Sequence, residues 1–115
     1  MNIKSYKIDC KFFDVHEIWY QEYNKNDFHQ WHNHIGCMYS NVLFLELEKE
    51  NHATQLYDQV NKKIINVPNL KPGNIISFPG NIIHRSPELD SGKKSIMSFN
   101  VSYWDIDRKR LDINV

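Results

Sequence analysis

The segment PGNIISFPGNIIH, residues 72–84, carries the strongest indication of the fold. A Pro-Gly turn precedes an Ile-Ile-Ser-Phe run, a second turn follows at Pro79-Gly80, and His84 ends the next apolar run. Short runs of β-branched and aromatic residues between Pro and Gly are typical of strands joined by tight turns. The segment therefore predicts two short strands, with His84 at the end of the second one.

The same pattern extends in both directions along the chain. Helical periodicity is scarce, and further strand-like runs lie at 3–8, 12–23, 38–47, 53–57, 63–67 and 95–104. About eight short strands at this spacing are typical of a sandwich, a jelly roll or a barrel. We therefore expect an all-β fold in a single domain that covers residues 1–115.

The composition argues against several classes of protein. The chain has 14 basic and 14 acidic residues and no long basic stripe, so we expect no nucleic-acid partner. No apolar run approaches the roughly 20 residues of a membrane span, and residues 1–9 lack the apolar region of a signal peptide. We therefore expect a cytoplasmic protein with no membrane partner, in which Cys10 and Cys37 stay reduced.

Three histidines are candidate metal ligands. In a strand, His32 and His34 point the same way, with Cα atoms roughly 6.5–7 Å apart, so both rings can reach one ion over bonds of about 2.0–2.2 Å. His84 follows an apolar run, where a buried imidazole needs either a metal or a hydrogen-bond partner. A polar loop and a hydrogen-bonded core histidine remain the alternatives. Nearby, His29 is a further ligand, a neighbour of the site or a turn histidine.

These motifs resemble those of known families. His32 and His34 match the H-x-H of the first cupin motif, and the Pro72 to His84 segment resembles the second, although the usual glutamate of the first motif is absent. A closer resemblance, over residues 18–103, is to iron(II)/2-oxoglutarate-dependent oxygenases of phages and marine bacteria. It includes a basic residue ahead of a Ser-Phe-Asn sequence, here Lys94 and then residues 98–100.

The resemblance implies a fold and a set of ligands. The fold is a double-stranded β-helix, which is a jelly roll or cupin-like barrel. The metal is Fe(II), or another divalent transition metal, and 2-oxoglutarate is the cosubstrate. Lys94 then pairs with the distal carboxylate of 2-oxoglutarate, and Ser98 and Asn100 share its strand face by period two. The alternatives are a solvated hairpin lysine and a hydrogen-bonded core pair.

The sequence leaves open whether a carboxylate belongs to the metal site. Oxygenases of this class usually hold iron with two histidines and one carboxylate, but here His34 stands at the carboxylate position. Either the site uses three histidines, or a residue such as Glu46 or Glu48 completes it, or the site no longer binds iron productively.

Three functions follow from these alternatives. The first is a metal-dependent dioxygenase acting on an unidentified substrate. The second is a small cupin-fold module that binds a metal or a ligand without catalysis, and the third is a structural dimer that has lost the metal. In each case we expect a homodimer, because open sheet edges near the termini need to be covered. Light scattering at high micromolar concentration checks this expectation, and a monomer there would contradict it.

Overall fold

The computed structural model of the protein describes residues 6–7, 10–106 and 112–113. Within these residues the only helical segment is one 3₁₀ turn, Glu50–His52, so the predicted all-β class is confirmed. The strands are β1 (Tyr6–Lys7), β2 (Cys10–Tyr23), β3 (His29–His32), β4 (Tyr39–Leu47), β5 (Gln55–Asp58), β6 (Lys63–Asn66), β7 (Ile75–Pro79), β8 (His84–Ser86), β9 (Lys94–Ile106) and β10 (Asp112–Ile113).

The long strands form two four-stranded antiparallel sheets, an arrangement compatible with a β-sandwich. The strand order is β2-β9-β4-β7 in the first sheet and β3-β8-β5-β6 in the second, while β1 pairs with β10. The predicted run at 3–8 lies partly outside the described residues, which retain Tyr6–Lys7 from it. No helix in the part of the chain described is long and apolar enough to cross a membrane.

The hydrophobic core draws on both four-stranded sheets. Strand β7 alternates buried and exposed side chains along its length, as expected when one face of a strand packs on the core. Replacing such a buried apolar side chain by a smaller one lowers the free energy of unfolding, because apolar contacts are lost and a cavity remains. The core includes Val42, Phe44, Leu56, Ile76 and Phe78.

Strand β2 contains an irregularity opposite the middle of β9. His16 pairs with Asn100 and Trp19 pairs with Ser98, so β2 has one residue more than β9 over this interval. Glu17, within the bulge, has a φ of 56°, a left-handed conformation that is uncommon for a residue with a side chain. Bulges of this kind re-aim side chains and are over-represented next to functional sites.

Candidate metal centre

The three predicted histidines converge at a cavity lined by residues of both four-stranded sheets. His84 begins β8 and is paired across the sheet with His32 on β3, which places their ring centroids 4.2 Å apart. The ring of His34 lies 5.0 Å from each of the other two. One potential ligand atom from each residue lies within 4.8 Å of the others, so the cluster can hold a metal ion.

His34 reaches the cluster for a reason other than the predicted one. Strand β3 ends at His32, so the prediction that His32 and His34 share a strand face is wrong. Instead, the loop after β3 is held by a hydrogen bond from the backbone N–H of His34 to the carbonyl oxygen of Gly80, 2.8 Å long. The turn between β7 and β8 therefore positions the third histidine.

Backbone carbonyls set the tautomers of two of the rings. Nδ1 of His32 lies 2.6 Å from the carbonyl oxygen of Gln30, and Nδ1 of His84 lies 3.0 Å from that of Ile82. A carbonyl only accepts hydrogen bonds, so both Nδ1 atoms carry the proton and donate. Each Nε2 is then left with a lone pair, which is the arrangement that orients and strengthens metal-ligating histidines.

The electrostatic environment keeps two of these imidazoles neutral. Burial lowers the pKa of His84 to about 4, although its bond to the carbonyl of Ile82 acts in the opposite direction. Burial also lowers the pKa of His34, and the neighbouring His32 adds to this effect. Because only the neutral ring can ligate a metal, the site is prepared for metal binding at neutral pH.

The spacing of the ring nitrogens is close to that of a filled site. The ligand atoms all lie within 4.8 Å of one another, and an ion with two bonds of about 2.0–2.2 Å holds its ligand atoms no more than about 4.4 Å apart. The donor set, three imidazole nitrogens, fits iron, zinc, nickel or copper.

The cluster opens into a cavity of about 30 Å³. Ser98 and Asn100 both line it, as the resemblance implied, and both are buried. The amide oxygen of Asn100 accepts a hydrogen bond from Ser40, 3.2 Å long. The pair is therefore at once part of the cavity wall and, through Asn100, part of a hydrogen-bonded core network.

Lys94 is fully buried, which contradicts the alternative of a solvated hairpin residue. Its ammonium group donates a 2.8 Å hydrogen bond to the carbonyl of His52 and another to the hydroxyl of Ser86, and lies 4.4 Å from the ring centroid of Tyr23. Burial lowers the pKa of Lys94 to about 8. Lys94 does not itself line the cavity; Ser86 and Tyr23 do, so its charge lies directly behind the wall.

The carboxylates proposed from the sequence lie elsewhere. Glu46 accepts a 2.9 Å hydrogen bond from Ser95, and Glu48 accepts one from the backbone of Lys93; neither lines the cavity. Among the residues that the structure describes, the three histidines alone form a group with metal-ligand spacing. Of the readings left open by the sequence, the geometry matches the three-histidine site.

Two contributing residues were not predicted. Glu17 accepts a 3.0 Å hydrogen bond from the amide of Asn100, and its negative charge acts on His34. His52 is buried, its ring bonds Asp90 over 2.7 Å, and its backbone carbonyl accepts a hydrogen bond from Lys94. Both depend on contacts between distant segments, and no local sequence signal indicates them.

His29 is a neighbour of the cluster. Its ring stacks on that of His32, with centroids 3.9 Å apart and an interplanar angle of 18°, and it lines the cavity. It does not belong to the group with metal-ligand spacing. The stacking restricts the orientation of His32, so His29 supports a ligand side chain.

Comparison with known proteins adds no assignment. No protein-family model matches the chain, and no curated protein is significantly similar to it. The functional argument therefore depends on the geometry and chemistry of the cavity.

Replacement of Gly80 by alanine is expected to weaken metal binding at least tenfold. A Cβ atom on Gly80 would lie 2.7 Å from the carbonyl oxygen of His34 and would also collide with Cys37, so the loop carrying His34 must move. Calorimetric titration with Zn(II) measures the affinity, and thermal melting checks that the variant is folded. Asn81→Ala, at an exposed neighbouring position, is the control; equal affinities of G80A and wild type would contradict the role of this turn.

Proposed function

We propose that the protein is a metal-dependent dioxygenase of the Fe(II)/2-oxoglutarate type, built on a double-stranded β-helix. The observation that carries the proposal is the combination of a three-histidine cluster at the cavity with a buried ammonium group directly behind the cavity wall. Lys94 forms no ion pair with any carboxylate of the described residues. A buried cation without an anion is costly, and an anionic cosubstrate would supply the missing charge.

The strand order supports this fold. Counting from β2 to β9, the first strand pairs with the eighth, the eighth with the third and the third with the sixth. In the other sheet the second strand pairs with the seventh, the seventh with the fourth and the fourth with the fifth. Two interlocking antiparallel sheets of four strands each are the arrangement of an eight-stranded jelly roll.

His32, His34 and His84 would hold the metal. Their Nδ1 protons are engaged by backbone carbonyls at His32 and His84, so Nε2 is the ligand atom on both rings. Three protein ligands leave positions on the ion open for other molecules. Iron(II) bound here would supply the redox chemistry by which O₂ oxidises a substrate as 2-oxoglutarate loses CO₂.

Ser86 and Lys94 would bind the distal carboxylate of 2-oxoglutarate. The hydroxyl oxygen of Ser86 accepts a hydrogen bond from Lys94, so the hydroxyl hydrogen can donate into the cavity that Ser86 lines. A hydrogen bond polarised by a cation behind it is stronger than one between neutral groups. Ser98 and Asn100 would complete the polar wall from strand β9 of the other sheet.

Metal binding without catalysis is the second candidate function. Each N–H of Lys94 already faces a partner, two oxygens and the Tyr23 ring. The metal cluster also contains no carboxylate, unlike the usual two-histidine, one-carboxylate set. These observations favour a module that binds a metal or small ligand in the same cavity.

Anaerobic titration distinguishes the two functions. Purified protein is loaded with Fe(II), its metal content is measured, and 2-oxoglutarate is added while the visible spectrum is recorded. The charge-transfer band of a chelated keto acid is the expected result. Metal uptake without the band would favour the binding module, and absence of metal uptake would overturn both candidates.

Metal binding is expected to persist into mildly acidic solution. His84 has a folded-state pKa of about 4, so it stays neutral at pH 5.5, where an ordinary imidazole of pKa about 6.5 is mostly protonated. Protons therefore do not displace the metal from His84 until the pH approaches 4. The Zn(II) affinities measured at pH 7.0 and 5.5 should differ by less than the roughly 600-fold loss that three ordinary imidazoles would give. A loss of that size would contradict the effect of burial.

A further inference from the structure

A second concave surface lies beside the metal cavity. We call it the aromatic groove; its volume is about 430 Å³, and its lining includes Phe28, His29, Trp31 and Arg85. Phe28 is 56% exposed and Trp31 is 37% exposed. Large aromatic side chains exposed together at a concave surface are typical of sites that bind a ligand.

The guanidinium group of Arg85 is stacked but not neutralised. Its central carbon lies 4.5 Å from the ring centroid of Trp31, and its Nε donates a 2.8 Å hydrogen bond to the side-chain oxygen of Gln55. Within the described part of the chain, its two terminal amino groups have no hydrogen-bond partner, and no carboxylate, including that of Glu88 in the same groove, pairs with it. A fork of this geometry is suited to a carboxylate or phosphate.

The aromatic groove adjoins the metal cavity. His29, Arg85 and Ser86 line both spaces, and His29 stacks directly on His32. The groove therefore lies next to the histidine cluster, with His29 between them.

We propose that the aromatic groove binds the substrate, and that the substrate is an organic anion in which a flat ring carries a carboxylate or phosphate. The ring would stack against the exposed aromatic side chains Phe28 and Trp31, and the anionic group would accept hydrogen bonds from the terminal amino groups of Arg85. Flat rings gain dispersion and quadrupole energy on aromatic faces. The inference rests on the proposed dioxygenase function only in treating the bound molecule as the substrate that is oxidised. Binding itself is tested without a metal.

Binding of four related probes to the metal-free protein tests the proposal. The probes are 1-naphthoate, 1-naphthyl phosphate, the neutral 1-naphthalenemethanol and the non-planar cyclohexanecarboxylate. Affinity is read from the indole N–H signal of Trp31 in ¹H–¹⁵N spectra, assigned with Trp31→Phe. At least one naphthyl anion should bind tenfold more tightly than both the neutral and the non-planar probe. Whichever of the two anions binds more tightly shows whether the natural ligand is a carboxylic acid or a phosphate ester.

Variants of Arg85 test the anionic contact. Arg85→Gln should weaken binding of the naphthyl anion at least tenfold, and Arg85→Lys, which keeps the charge but loses the fork, should give an intermediate loss. Lys63→Gln, an exposed cation on the far strand of the same sheet, should change nothing. Equal binding of the neutral or non-planar probe, or undiminished binding by R85Q and R85K, would overturn the inference. The iron and 2-oxoglutarate titration of the wild-type protein tests the proposed function separately.

Discussion

His84→Ala is expected to abolish metal binding while leaving the metal-free protein folded. The variant removes the buried ligand that pairs with His32 across the sheet, and two histidines at the rim remain. Loss of an outer-shell partner alone typically costs 10–100-fold in metal affinity, so we expect a loss of more than about a hundredfold. The ring has one hydrogen bond in the metal-free protein, to the carbonyl of Ile82, so the free energy of unfolding should fall by only ~1–2 kcal/mol.

Metal content after dialysis and urea denaturation together measure this result. His16→Ala is the matched control, because His16 is a histidine outside the cluster that contacts Ser102 at 3.1 Å. The control should keep wild-type metal affinity. Undiminished metal uptake by H84A would show that the three-histidine cluster is not the metal centre.

Lys94→Met is expected to prevent 2-oxoglutarate binding and, unusually for a change in a buried residue, to stabilise the protein at pH 7. Burial lowers the pKa of Lys94 from its ordinary 10.5 to about 8, so below pH 8 the folded protein carries the full cost of a buried charge. Between pH 8 and 10.5 the folded state loses this proton first, and the stability of the wild type rises with pH. The advantage of the variant should therefore shrink over that range.

The size of the stabilisation is limited by the bonds that methionine cannot replace. A shift of this size corresponds to ~3 kcal/mol, and the loss of the bonds to the His52 carbonyl and Ser86 returns ~1–2 kcal/mol. Urea denaturation at pH 7.0 and 10.0 should thus show a net gain of ~1–2 kcal/mol at the lower pH only. The iron complex of the variant should lose the 2-oxoglutarate band, with affinity reduced at least a hundredfold.

Lys93→Met is the control for this experiment, because Lys93 is the exposed residue directly before Lys94 in the chain. It should alter neither the stability nor the band. If K94M bound 2-oxoglutarate as well as the wild type, the buried ammonium would have only a structural role and the binding-module function would be favoured.

Local sequence features predicted most of the strands, because turns and alternation are local properties. The prediction that His84 ends a strand is wrong, since β8 begins at His84 and runs to Ser86. The Pro-Gly pairs bracket β7 as expected, and its buried and exposed side chains alternate. The histidine cluster was also predicted, since a histidine that follows a buried run must find a partner. The prediction for His34 was correct in outcome and wrong in cause, because the bond to Gly80 joins segments distant in the chain.

The site residues that the sequence did not predict depend on how strands distant in the chain are paired. Ser86, His52 and Glu17 acquire their roles through Lys94 and Asn100, more than eighty positions away in the case of Glu17. Nothing in the composition around Glu17 indicates a bulge, since the surrounding residues are ordinary strand formers. Side-chain contacts of this kind are set by packing rather than by propensity.

The extra residue in β2 also changes which side chains of that strand face the same side as Asn100. Before the bulge the even-numbered positions Asp14 and His16 face the same side as Asn100, and after it the odd-numbered positions, from Trp19 to Tyr23, do so. Loss of a single residue at the bulge would therefore restore a regular ladder, in which His16 and Trp19 keep Asn100 and Ser98 as partners with one residue between them. Both halves of β2 would keep their present faces, and the strand would lose the left-handed residue that brings the Glu17 carboxylate to the amide of Asn100.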